Sequence, residues 1–126
     1  MSDRRRPLGL AAEEAAAAHL ARAGLRVVAR NVRFVHGEID LVCRDGEIWV
    51  FVEVKCRRAG WDEGPGAAVS PLKQRRLLRL AAHYLKWRRL DNPRCRFDVV
   101  AVTLEGPAEA PRALGVRHIP DAFGLP

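Results

Sequence analysis

Residues Gly37–Lys55, GEIDLVCRDGEIWVFVEVK, decide the fold. Two β-prone runs flank the dipeptide Asp45-Gly46, the strongest short-range hairpin signal in the chain. In the first run, strict alternation sends Glu38, Asp40 and Val42 to one face and Ile39, Leu41 and Cys43 to the other. In the second, Val50, Val52 and Val54 share a face, and Phe51, Glu53 and Lys55 share the opposite one. The run Trp49-Val50-Phe51-Val52 is apolar without a break until Glu53, which marks a strand in the middle of a sheet. Asp40, Glu53 and Lys55 are then partly buried charges, which are too costly to keep without partners.

Upstream, Leu25–Phe34 is β-prone and Val35-His36-Gly37 makes a tight turn, so three strands form an antiparallel meander. Before it, residues Leu8–Ala23, LGLAAEEAAAAHLARA, form a helix with Gly24 as its C-cap. About 100° per residue places Leu10, Glu13, Ala17 and Leu20 on one side, with Glu14, Ala18 and Arg22 toward solvent. Glu13 is thus a carboxylate among leucines and needs a positive partner, unless it lies at the rim with its stem along the sheet.

Downstream, Arg58–Pro71 is a Gly- and Pro-rich loop, Ser70 is an N-cap and Pro71 opens a helix reaching Arg88. Leu77, Leu78, Leu80, Ala81, Tyr84 and Leu85 fill its apolar side, and Arg75, Arg76, Arg79, His83 and Lys86 fill the other. Arg96–Leu104 is a fourth strand. Residues 105–126 form a less regular tail, in which Gly115–Ile119 could add a short edge strand, and residues 1–7 form a flexible basic lead. The expectation is one α/β domain over residues 1–126: a mixed central sheet flanked by helices, in the order αβββαβ plus a tail.

Composition narrows the function. The 126 residues carry 22 Lys and Arg against 15 Asp and Glu, a formal charge of +7, which attracts polyanions unless it is only a compositional habit. The basic start is not followed by a signal-peptide core, and no stretch is apolar enough for a span, so no membrane is expected. Cys43, Cys56 and Cys95 are odd in number and widely spaced, which fits a reducing cytoplasm and neither disulfides nor structural zinc. Trp49, Trp61 and Trp87 are too scattered for a base-stacking platform.

Two carboxylates on neighbouring strands raise each other's proton affinity, and a divalent cation removes that cost. Asp40 and Glu53 are hard oxygen ligands of the kind Mg²⁺ prefers, with Mn²⁺ as a substitute, and the Val54 carbonyl could add a third. Lys55 could orient a metal-bound water, help remove its proton, or stabilise charge on a phosphate. Glu-x-Lys alone is common on ion-paired sheet surfaces; Asp40 across a hairpin and the apolar run before Glu53 raise its weight. Glu38 either lines the same site or closes the turn by pairing with Arg30 or Arg33. Arg57, Arg58 and the stripe Arg75, Arg76, Arg79 and Lys86 offer phosphate contacts, the stripe alone reading equally as a solvated helix face.

Glu13, Gly37-Glu38-Ile39-Asp40-Leu41-Val42, Phe51-Val52-Glu53-Val54-Lys55-Cys56-Arg57, Val69, Lys73-Gln74 and Arg96-Phe97-Asp98-Val99-Val100 occur in that order. From Leu8 to Leu104 the chain resembles the bacterial YraN-type family, itself similar to archaeal Holliday-junction resolvases in the restriction-endonuclease-like PD-(D/E)xK group. The resemblance implies a metal-dependent nuclease core with Asp40 as the motif aspartate and Glu53-Val54-Lys55 as the (D/E)xK element. It implies that Glu13 reaches the metal, directly or through water, and that Gln74 touches the site or the DNA backbone. It also implies a homodimer, since junction resolvases cut symmetrically. The chain departs from the family pattern at Ala12, where glycine usually precedes the helix glutamate, and at Asp62-Glu63, where a Phe-Gly pair is common. The expectation is a Mg²⁺-dependent endonuclease acting on DNA, including branched or structured DNA. The alternatives are a nucleic-acid-binding accessory protein that keeps the fold with little or no catalysis, and a basic protein–protein adaptor, which leaves the inward acids unexplained.

Overall fold

The hairpin at the centre of the sequence is also the centre of the sheet. In the computed structural model, which describes residues 7–60 and 69–124, the strands β1 (Arg26–Phe34), β2 (Gly37–Asp45) and β3 (Ile48–Arg58) form the antiparallel meander. Asp45 pairs with Ile48, so Gly46 and Glu47 make a two-residue connection, with Gly46 at φ 61° where a hairpin turn demands glycine. Helix α2 (Pro71–Trp87) then returns the chain so that β4 (Cys95–Glu105) lies parallel to β3, and β5 (Arg112–Phe123) closes the sheet antiparallel to β4. The strand order is β1-β2-β3-β4-β5 and the element order αβββαββ, with α1 (Pro7–Arg22) first.

Each helix covers one face. Helix α1 lays Ala12, Ala16, Ala17 and Leu20 against Leu41, Cys43, Val50, Val52, Val100, Val102 and Leu104. Helix α2 packs Leu77, Leu80, Ala81 and Tyr84 against Ile39, Val42, Trp49, Phe51 and Phe97. The alternation of Trp49 and Phe51 with Val50 and Val52 on β3 separates the two clusters. Ser70 caps α2, its Oγ accepting from the Lys73 N–H at 3.2 Å. Among the described residues no helix is long and apolar enough to cross a membrane.

The structure corrects several expectations. The tail is a twelve-residue strand along β4; its pattern hid it, because an edge strand is mostly exposed and tolerates Pro120 and Gly115. Pro7 belongs to α1, not to the lead, and residues 1–6 of that lead lie outside the described residues. So do residues 61–68 of the loop, with Trp61, Asp62 and Glu63. Leu10 is 40 % exposed, because the buried arc of α1 is Ala12, Glu13, Ala16, Ala17 and Leu20 and Leu10 lies roughly 90° from its centre.

One ionic network ties β5 to β4. Asp98 is fully buried and accepts from Arg96 Nε at 3.0 Å, Arg96 Nη2 at 3.2 Å and the Asp121 N–H at 2.9 Å, with His118 Nε2 at 2.7 Å. Arg96 also reaches Asp45 at 2.8 Å, joining β4 to the end of β2. A buried carboxylate with this many donors is satisfied in place.

Candidate metal centre

The alternation expected for β2 fails at one point. Leu41 and Cys43 pack on the α1 side as a pair, but Ile39 joins Val42 on the α2 side, so the facing breaks at Asp40. The β2–β3 ladder ends at the pair Leu41 and Val52. Beyond it the Asp40 carboxylate takes over as acceptor, its Oδ2 receiving the Val54 N–H at 2.8 Å. A side chain thus stands in for a ladder carbonyl, and the two strands separate around it. Gly37 lies close under α2: at φ 148°, a conformation that favours glycine, an added Cβ would sit a tight 3.3 Å from Leu80 Cδ1.

Asp40 and Glu53 converge in that gap. Burial, then a hydrogen bond to Glu53, then its charge, push the Asp40 carboxyl up from 3.8 to about 8, against the lowering effect of the Val54 N–H. Glu13 adds a weaker push through space from α1, where it is 6 % exposed. Glu53 itself is 5 % exposed. Two acids in contact and shielded from water share a proton or need a positive charge between them. Lys73, three residues into α2, supplies one: its Nζ lies 2.7 Å from Glu53 Oε2, an ion pair not aligned as a hydrogen bond. Among the described residues no group of three or more His, Cys, Asp or Glu is gathered closely enough to hold a metal ion. The donor set that fits a hard cation is therefore the pair Asp40 and Glu53, with Glu13 outside their direct contact.

Lys73 was missed by the sequence reading. Its signal is a cation in the first turn of a helix that has no acid there, the end where the helix dipole disfavours positive charge. Lys55 is half-buried, two positions beyond Glu53 on the same strand, and has no carboxylate partner among the described residues. Gln74 is turned back on the loop, its Nε2 donating to the Val69 carbonyl at 2.8 Å. Arg58 is tied to the Gly106 carbonyl at 2.7 Å, while Arg57 is exposed with its Nε 3.4 Å from Thr103 Oγ1. Arg75, Arg76, Arg79 and Lys86 are all exposed along α2. Glu38 lies 3.7 Å from Arg33, and Arg30 pairs with Glu14 instead.

Residues 12–102, which hold every acid of this site, match the uncharacterised protein family UPF0102. The chain belongs to this family. Family relatives include a UPF0102 protein of Symbiobacterium thermophilum, 55 % identical over 77 % of this chain and 82 % of that protein. Others are those of Anaeromyxobacter dehalogenans, 48 % identical over 96 % and 87 %, and Syntrophus aciditrophicus, 44 % identical over 93 % and 88 %. The match to UPF0102 ends before β5, although that strand completes the sheet.

Proposed function

We propose that the protein is a metal-dependent endonuclease that hydrolyses DNA phosphodiester bonds, including those of branched or otherwise structured DNA. The observation that carries this reading is the contact between the Asp40 and Glu53 carboxyls at the point where β2 and β3 part. Side chains kept so costly in an otherwise apolar sheet are matched to a cation and to chemistry.

Asp40 and Glu53 would hold Mg²⁺, or Mn²⁺ in its place, with the Val54 carbonyl as a further oxygen and Glu13 assisting from α1. When bound, such an ion lowers the pKa of water and polarises the phosphate. The Val54 N–H fixes the Asp40 carboxyl through Oδ2 while that carboxyl stays in contact with Glu53. Lys73 sets an ammonium beside the buried Glu53 carboxylate. Lys55 would orient the attacking water or stabilise the charge that develops on the phosphate. Arg57, with Arg75, Arg76 and Arg79 near the start of α2, supports the phosphate backbone. A homodimer would give the paired cuts that junction resolution needs.

A nucleic-acid-binding role with little catalysis is the second reading, and the Lys73–Glu53 ion pair favours it, because an ammonium already balances one acid. Labelled junctions, flaps, duplexes and single strands incubated with the protein in Mn²⁺ separate the two. Cleavage lost in Asp40→Asn and Lys55→Ala supports the enzyme. Cleavage surviving both substitutions, or no cleavage of any substrate beside metal-indifferent, salt-sensitive binding, refutes it.

A further inference from the structure

Helix α2 shields only part of its face of the sheet. It covers Trp49 and Phe51 on β3 and Phe97 on β4, and alternate residues further along these strands emerge beyond the helix. Ala101 and Thr103 are half-buried, whereas Val100, Val102 and Leu104, facing α1, are closed off from solvent. Strand register sets the open positions in two rows: Lys55 beside Ala101 beside Arg117, and Arg57 beside Thr103 beside Gly115. They line a cleft of about 560 Å³, together with Lys73.

The chemistry of this cleft has one sign. Lys55, Arg57, Lys73 and Arg117 line it, and among the described residues its wall contains no acid and no aromatic ring. Its floor is small: alanine, threonine and glycine let a ligand approach the backbone closely. Three strands span roughly 10 Å, which suits one extended phosphodiester strand. Arg57 is held over the floor by Thr103, and Lys73 borders the cleft while touching Glu53, so one side chain links the cleft to the acid pair.

We infer that this cleft on β3–β4–β5 is the track for a single nucleic-acid strand, read through its phosphates and without regard to base sequence. The inference deepens the proposed function, on which it rests for the fate of the strand at the acids. It assigns the main backbone contacts to Lys55, Arg57, Lys73 and Arg117 in place of the far end of the α2 stripe. Lys86 lies thirteen residues along α2 from Lys73, about 20 Å away along the helix axis. A floor without aromatic side chains cannot stack bases, so recognition is electrostatic and salt-sensitive.

Gly115 provides a clean test, because a Cβ added there meets nothing within 4 Å. Binding of labelled mixed-sequence DNA and RNA 20-mers to the full chain is followed by anisotropy in EDTA over a salt series, with melting temperature as the folding control. Gly115→Glu should weaken binding by about tenfold or more through like-charge repulsion, and Gly115→Lys should not. Arg117→Ala should lower the salt slope by about 0.7, as one lost phosphate contact on a single strand does. Loss shared equally by DNA and RNA shows that the backbone charge is what is read; loss for one alone identifies the strand accepted, and both outcomes support the track. Binding unchanged in a folded Gly115→Glu, weakened only by Arg79→Glu and Lys86→Glu, or absent altogether overturns it. Cleavage distinguishes the two readings: binding weakened by Gly115→Glu with no cleavage of any substrate by the wild type leaves the track standing and removes the endonuclease, whereas cleavage abolished by Asp40→Asn but indifferent to Gly115→Glu does the reverse.

Discussion

Replacing Asp40 with asparagine should stabilise the protein, the opposite of what changing a half-buried, hydrogen-bonded side chain usually does. In the folded chain the Asp40 carboxyl binds its proton up to about pH 8, against 3.8 ordinarily. The folded state therefore holds the proton more tightly than the unfolded state. Stability from this group is fully present below about pH 4, falls as pH rises toward 8, and is level above that. At pH 7 the unfolded chain has ionised over roughly three pH units that the folded chain has not, a loss on the order of 4 kcal/mol at 1.36 kcal/mol per unit. The substituted amide could still accept from the Val54 N–H, and it carries no charge toward Glu53. Denaturant unfolding followed by tryptophan fluorescence, in EDTA from pH 4 to 9, should give nearly equal stabilities at pH 4. The variant should then lead by several kcal/mol at pH 8. All other titrating groups are common to both proteins, so the difference curve isolates the acid pair. A flat difference curve, or a variant less stable than the wild type at pH 8, would refute the convergence of the two carboxyls. Saturating Mg²⁺ should close the gap by stabilising only the wild type.

Lys73→Met leaves Glu53 buried without its cation, so its melting temperature in EDTA should drop and recover with Mg²⁺; no drop would show the ion pair to be incidental. Asp98→Ala strands Arg96 and should cost about 3–5 kcal/mol in chemical denaturation, with β5 amides losing exchange protection first. Ser70→Ala removes the cap on α2 and should cost about 1 kcal/mol by the same measurement. Burial, with the Asp98 charge behind it, pushes the Cys43 thiol up to about 12. A thiol reagent at pH 8 should therefore modify exposed Cys56 and Cys95 in the native protein and reach Cys43 only on unfolding.

Much of this architecture was legible because its signals are local. Asp45-Gly46 fixed the hairpin, and Ser70-Pro71 fixed the start of α2. The inward glutamate of α1 was visible from helical periodicity alone. What escaped depends on partners distant in sequence. Strand β5 draws its stability from β4 and the Asp98 network rather than from a pattern of its own. The break of alternation at Asp40 arises where strands part, and alternation cannot anticipate its own failure. Lys73 meets Glu53 across a turn of chain that no spacing rule connects. Arg58 and Gln74 carry plausible side chains for phosphate contact, but each finds a nearby carbonyl first.

The hydrogen bond from Val54 to Asp40 gives the protein a built-in reporter. Most sheet amides answer to carbonyls, whose basicity is fixed; this one answers to a titratable oxygen. Its nitrogen-15 resonance should therefore follow the ionisation of the acid pair and respond again when a cation is added, while the Val50 amide on the same strand stays still. A single peak would then track occupancy of the centre in solution, with neither substrate nor turnover needed.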